Sequence, residues 1–433
     1  MSADTIASTG HARSRSPEPE PTSAAGPRLL QPLREHDFRL LWLGESVSSL
    51  GDQFQFVALA WLVLGLTGSG LALGGVLAVA SIPRAALMLV GGAASDRLSP
   101  RTILLLSNGT RAIFVGLLAV LVLTGSIQMV EVYVLAIVFG ISDAFFYPAI
   151  GAIMPQLLQD QARLPSANAL FRGTLLLMAL VGPPVAGLVV AVAQPGPAFA
   201  VNALSFVVAA VALVLIRWRM PVVQASAGTP VAAESVLASI RAGIAYAWHD
   251  VTLRLLLVMV AAIDFAFAGP DAVGLAWLSA NRWGAGPIGY GVLTGGFALG
   301  ALAGTLIAGS MPQPRHRSWI LTGVAFALGV GLILLGLAPS VGVALLVTVP
   351  MGLAGGLINV LLISWLQART EAAMLGRVMS LVMLASVGLA PISLAAAGLL
   401  VDGAVVPLFV GAGGIVLAAA AFGVVSGAAH RLD

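Results

Sequence analysis

Cysteine is absent from the 433 residues, which excludes disulfides, thiol nucleophiles and thiolate metal sites. Lysine is absent as well. All 21 basic residues are Arg, against 18 acids, for a net charge of +3. Charged residues make up only 9% of the chain, where a soluble domain carries about 25%, so water is not its main solvent. The five His (His11, His36, His249, His316 and His430) fall in tails or between apolar runs, which argues against an intramembrane His relay or metal site. No Gly-rich phosphate loop with Lys, no Ser-His-Asp arrangement and no nucleotide domain can be assembled. The chain is therefore expected not to be an enzyme and to need no cofactor.

What fills the sequence is apolar: 59% of residues are hydrophobic and the mean hydropathy is +1.01. Runs of about 20 residues, each long enough for a bilayer core of ~30 Å, recur from Leu40 to Val425. They do not alternate as barrel strands would, so the expected fold is an all-α polytopic membrane protein. Twelve spans are expected, at 40–66, 71–95, 102–124, 130–154, 168–193, 198–216, 253–278, 288–310, 319–338, 341–366, 378–400 and 404–426. Residues 1–27, rich in Ser, Pro, Glu and Ala, are expected to be a disordered tail. Residues 28–216 would form one six-helix half and 253–433 the other. Between them 217–252 would be a linker, in which Leu237, Ile240, Ile244 and Trp248 share one face of a helix lying on the membrane surface; a solvated linker helix is the alternative.

Arg positions set the expected orientation. With the N-terminus inside, thirteen Arg fall on inner segments and Arg282 alone on the outer loops, the positive-inside pattern. All eight Trp fall near span ends, as interfacial anchors do. Both termini are thus expected on the cytoplasmic side of the cell's inner membrane. Six spans, a linker and six spans is the layout of a transporter built from two related halves. "GGAASDRLSPRTILLLS" after the second span has a weak counterpart in "AGSMPQPRHRSWILTG" after the eighth, where Arg315 and Arg317 remain but the acid is missing.

From about Leu30 to Val425 the sequence resembles the major facilitator superfamily. "GGAASDRLSPR" (residues 91–101) is similar to that family's loop between helices two and three, with Gly92, Asp96, Arg97 and Arg101 on the motif positions. Ser99 and Pro100 depart from it, since the family usually has Gly and a basic residue there. The resemblance implies a latch: Asp96 pairs with Arg and faces helix dipoles of the other half, holding the halves together in one state. Ordinary positive-inside loop charges are the plainer alternative.

"LTGSGLALGGVLAVASIPR", "LPSANALFRG" and "AAMLGRVMSL" resemble the efflux branch that includes macrolide and siderophore exporters. "GPPVAG" in the fifth span resembles the kink of drug/proton antiporters, carried by Gly182, Pro183 and Gly187, with Pro184 as an extra proline. A common membrane-helix kink is the alternative. The fourth span lacks the Arg these antiporters often carry and has Asp143 instead, so their proton relay does not transfer.

Charges at membrane depth carry the remaining signal, because each is costly there. Asp52, Arg84, Asp143 and Asp264 all fall near the expected midplane. Asp52, Asp143 or Asp264 is expected to bind the coupling proton, with Arg84 pairing with Asp52 or Asp143 in one state; a static Asp52–Arg84 pair is the alternative. Asp143 and Asp264 show no basic partner at their depth. Glu45, Arg111 and Arg172 fall shallower, as gate or anchoring charges, and Asp271 and Asp402 towards an exit. Phe54, Trp61, Phe145, Phe146 and Phe265, together with Phe56, Tyr147, Met178 and Phe267, are candidate cavity walls, although each also suits plain helix packing.

The resulting expectation is a proton-driven exporter of small hydrophobic or amphipathic molecules. Its partners would be that substrate and the bilayer, with no nucleic acid, and the protein would be a monomer. A dedicated exporter of one endogenous product such as a siderophore or antibiotic, and a non-transporting membrane sensor, are the alternatives.

Overall fold

A computed structural model of the chain describes residues 28–217, 244–311 and 317–425. The expected tail at 1–27 and most of the linker lie outside them. Among the described residues the structure is helical, with no strand. The first half contains α1 (His36–Thr67), α2 (Gly70–Arg97), α3 (Pro100–Leu123), α4 (Met129–Ile153), α5 (Leu164–Ala193) and α6 (Pro195–Leu215). In the second half, α7 (Val251–Gly269) runs on through two π turns, Pro270–Gly274 and Leu278–Arg282. It is followed by α8 (Gly286–Ser310), α9 (Arg317–Leu337), α10 (Val341–Arg369), α11 (Ala372–Gly388) and α12 (Ala390–Val425).

The last apolar stretch, Met374–Val425, is 52 residues long. As one helix it would measure about 78 Å, far beyond a ~30 Å core. It breaks at Ala404, where φ is −146° and ψ 46°. The arm of α12 before Ala404 completes the eleventh crossing with α11, and the arm after it makes the twelfth. Most helices begin one to six residues before their expected spans, because polar end residues still satisfy the helical ladder outside the lipid.

Turns are placed by local chemistry. Gly68 closes α1 in the left-handed region (φ 64°) and donates its N–H to the Leu64 carbonyl. Gln194, between α5 and α6, also takes a positive φ (66°) with an extended ψ; Pro195 behind it forbids the helical ψ that would let α5 continue.

Pairings repeat six helices on. α1 packs on α5 and α6, α2 on α4, and α3 on α4 and α6. Correspondingly α8 packs on α10, and α9 on α10 and α12. α7 packs on α11, and Gly423 in the last arm of α12 seats against its Leu255. The halves join along two related seams, α5 with α8 and α2 with the first arm of α12. At the second seam Gly74 and Gly398 stack so closely that a methyl on either would overlap the other's backbone.

Not every Trp is an interfacial anchor. Trp319 is 72% exposed and Trp248 63%, as anchors would be. Trp365, in contrast, is 5% exposed and belongs to the core, and the Trp283 Nε1–H donates to the Ala338 carbonyl at 3.0 Å.

Candidate functional site

The face bearing the start of α1 and the α2–α3 turn is termed proximal, and the opposite face distal. The second half is hollow. A cavity of about 620 Å³ lies among α7, α8, α10 and α11, with Leu176 of α5 as the first half's contribution. Asp264 and Asp271 from α7, Asn359 from α10 and Ser386 from α11 give it polarity, and Phe267 and Phe297 give it aromatic walls. These two rings sit 5.9 Å apart. Asp264 stands about 20 Å beyond the proximal end of α7, and Asp271 about 10 Å farther.

The shape of α7 has a local cause. Ser393, on the first arm of α12, inserts its hydroxyl where the Phe265–Gly269 helical bond would be. Its Oγ donates to the Phe265 carbonyl at 2.6 Å and accepts the Gly269 N–H at 2.9 Å. Pro270 then has no N–H to offer, and the chain widens into the π turn that carries Asp271. Such turns are frequent at functional sites. Asp264 accepts a hydrogen bond from the Ser386 Oγ.

The first half is closely packed around Arg111. A space of about 30 Å³ lies beside it, room for a water molecule or two. Arg111, only 2% exposed, pairs with Asp143, and Arg84 approaches the same carboxylate at 3.8 Å. The rings of Phe146, Phe139 and Phe206 surround the Arg111 guanidinium at 4.4, 5.0 and 5.5 Å from its Cζ, and Arg84 lies over Tyr147 at 4.8 Å. Asp143 therefore has two basic partners, Arg84, which was expected for it or for Asp52, and Arg111, which was not. Arg111 is about 17 Å from the start of α3, at midplane rather than at a shallow gate; span limits alone do not reveal that α3 and α4 turn these residues to face each other. The Oε1 of buried Glu45 accepts the Asn108 amide at 3.2 Å. The Oδ1 of Asp52 is buried with no hydrogen-bond partner.

The motif residues fall in different places. Gly182 lies against Gln53 and Leu50 of α1 in its own half, while Gly187 lies against the Pro287 carbonyl of α8 and the Pro183 carbonyl against Gly291, so the "GPPVAG" stretch contributes Pro183 and Gly187 to the contact between the halves. Gly92 faces open space near the end of α2. Asp96 and Arg97 occupy the last turn of α2, and their side chains lie outside the description. Arg101 donates from Nε to the Leu213 carbonyl and from Nη2 to that of Val214, both at 2.9 Å. It thereby closes the C-terminus of α6 within its own half.

Of the eight aromatics expected at the cavity, Phe267 alone is among the residues lining it. Phe54 is in the core, and Trp61 meets Tyr290 of the other half at 5.8 Å. Phe145 packs against a cluster of buried residues near the proximal end, as does Phe146, which also lies against Arg111. The Phe265 carbonyl receives Ser393.

At the distal end Asp402 crosses from one half to the other. Its carboxylate accepts the Gly70 N–H at 2.7 Å, the Ser69 hydroxyl at 2.9 Å and the Leu71 N–H at 3.2 Å, all at the start of α2. The Trp277 Nε1–H joins them at 3.0 Å. In this conformation the halves are clasped distally, above the cavity.

Two pseudo-symmetric six-helix halves around a mid-membrane cavity are the architecture of a secondary transporter, and residues 28–431 match the transmembrane secretion effector family. The chain belongs to that family, within the major facilitator superfamily. A search of curated sequences gives no match. Among solved structures, the POT family transporter PepTSo is similar at a TM-score of 0.72 and 14% identity, over 92% of this chain and 99% of that one. A bacterial homologue of the iron transporter ferroportin, inward-facing, gives 0.65 and 15% over 92% and 98%. A bacterial homologue of the human lysosomal transporter Spinster, inward-facing and occupied, gives 0.65 and 14% over 93% and 98%. At such identities the likeness is one of fold. The protein is a multi-pass membrane transporter of the major facilitator type.

Sequence reasoning missed Ser386, Ser393 and Phe297. Ser and Phe are ordinary in apolar helices and carry no signal there. Asn359 was missed too, although its signal was there: an amide within an apolar run is costly unless it serves something.

Proposed function

We propose that this transporter exports small hydrophobic or amphipathic molecules in exchange for protons, by alternating access. The observation that carries the reading is the cavity itself: mid-membrane, walled by Phe267, Phe297 and aliphatic residues, holding two carboxylates, and overlain by the Asp402 clasp. The positive-inside count supports a cytoplasmic proximal face in the inner membrane, so the cavity loads from the cytoplasm. Asp264 is the leading proton carrier, because it lines the cavity and has only a neutral hydroxyl partner. Asp52 is the second candidate. Asp143 is bound to two Arg and serves the first half as a structural pair in this conformation. The α2–α3 motif with Asp96 closes the proximal face when the distal clasp opens.

The test is proton release from proteoliposomes under an imposed gradient, read with a pH dye and challenged with lipophilic cations, macrolides and siderophores. Release evoked by unrelated compounds, and lost in Asp264→Asn at normal insertion, supports the reading. Release by one compound alone marks a dedicated exporter. Silence with every compound refutes proton exchange for this panel.

A further inference from the structure

Resting on the reading of this cavity as the substrate site, we propose that its substrate is a dibasic organic cation: an elongated amphipathic amine with two ammonium groups about 10 Å apart.

The argument begins with charge. Among the described residues lining the cavity there are two acids, Asp264 and Asp271, and no basic side chain. The deep Arg of the first half are committed elsewhere, Arg111 to Asp143 within its aromatic cage and Arg84 to Asp143 and Tyr147. Two carboxylates at this depth are expensive without counter-charge, and the protein supplies none inside the cavity. Where the coupling proton has left, the occupant must bring it.

Spacing decides what kind of cation fits. Asp264 and Asp271 are seven positions apart on α7, about 10 Å along the axis, and both open into the same space. One metal ion cannot reach both, since carboxylate oxygens must lie within about 2.6 Å of it. Among the described residues no group of three or more acids and His forms a metal cluster either. Two separated ammonium groups on one molecule satisfy both sites together.

The stretch between the acids specifies the linker. Phe267 and Ala268 lie on α7 between the two carboxylates, and Phe297 stands 5.9 Å from the Phe267 ring. This is a surface for methylene or aromatic groups, with ring faces that also favour a nearby cation. Ser386 holds Asp264 from α11, while the π turn begun by Ser393 and Pro270 presents Asp271. The two anionic ends are thus positioned by different devices, with an apolar floor between them.

The experiment is equilibrium binding to the purified full-length protein, using a series of diaminoalkanes whose nitrogen–nitrogen spans bracket about 10 Å. The n-alkylamines and alkanediols of matching length serve as comparators. The expected result is an optimum at spans near 10 Å, with the diamine binding at least tenfold more tightly than the monoamine and the diol weakest. Asp264→Asn and Asp271→Asn should each erase the diamine's advantage while leaving monoamine binding within a few-fold. Equal binding of diamine and monoamine to the wild-type protein would overturn the proposal, and this comparison needs no folded variant. So would a flat dependence on span. Diamine selectivity without proton release in proteoliposomes would refute proton exchange and leave this assignment standing. Proton release by neutral compounds alone, with no amine binding, would refute this assignment and leave export intact.

Discussion

Removing the Asp402 carboxylate should loosen the distal clasp by a predictable amount. The side chain caps the first turn of α2 from the other half, through the Gly70 and Leu71 N–H groups and the Ser69 hydroxyl. A capping side chain is worth about 0.5–2 kcal/mol, and a negative charge at a helix N-terminus adds roughly 0.3–1 kcal/mol. Asp402 is exposed, so solvent screening favours the lower end of the combined range, about 1–3 kcal/mol. That corresponds to a shift of roughly 5- to 150-fold between distally closed and open populations. Val401 is a direct reporter, being 0% exposed and lying under the start of α2. The chain has no Cys of its own, so Val401→Cys alkylation has no background. The rate should rise about 5-fold or more when Asp402→Ala is added, and Asp402→Asn should fall between the two. An unchanged rate, with the melting temperature preserved, would show that the clasp does not hold the distal face.

Arg111→Met should cost about 3–5 kcal/mol of stability, because it strips the buried Asp143 of its nearer partner. Adding Asp143→Asn should recover much of that loss in thermal unfolding; a fully stable single variant would refute the pairing. At the proximal end, burial raises the pKa of the Asp250 carboxyl, but hydrogen bonds from the Leu253 N–H, Arg369 and the Thr252 N–H outweigh it and hold the group below its usual value. A lowered folded-state pKa means that the stability is present above the unfolded pKa and is lost as pH falls through the folded one. Wild type should therefore melt above Asp250→Asn at neutral pH, and the difference should begin to shrink as pH drops below about 4 and vanish below the lowered folded-state value. A difference independent of pH would refute this assignment.

Much of the fold was legible because a bilayer admits few solutions. Apolar runs of span length must become helices, and the break at Ala404 separates the last two spans where the expected boundaries, 400 and 404, place it. The importance of "GPPVAG" could also be read, although its role against Pro287 and Gly291 could not. The site was less legible. Asp264 was singled out by depth alone, and depth is the same all round a helix. Rotation about the axis decides whether an acid meets an Arg, as Asp143 does, or a cavity, as Asp264 does. The expected aromatic walls divided for the same reason: Phe265 and Phe267, both expected there, differ by two positions on α7, and only Phe267 reaches the space.

By itself, then, the sequence determined the solvent of the chain, the course of its apolar crossings and the depth of Asp264, though not that of Arg111. These follow from one-dimensional quantities, run length and residue polarity, that the membrane turns directly into structure. Only the tertiary structure decided which half is hollow, which acids are neutralised, and that Ser393 opens α7 beneath Asp271. Those outcomes depend on contacts between residues from 32 positions apart, as Arg111 and Asp143 are, to 128, as Ser393 and Phe265 are, and on helix rotations that a run of apolar letters leaves free.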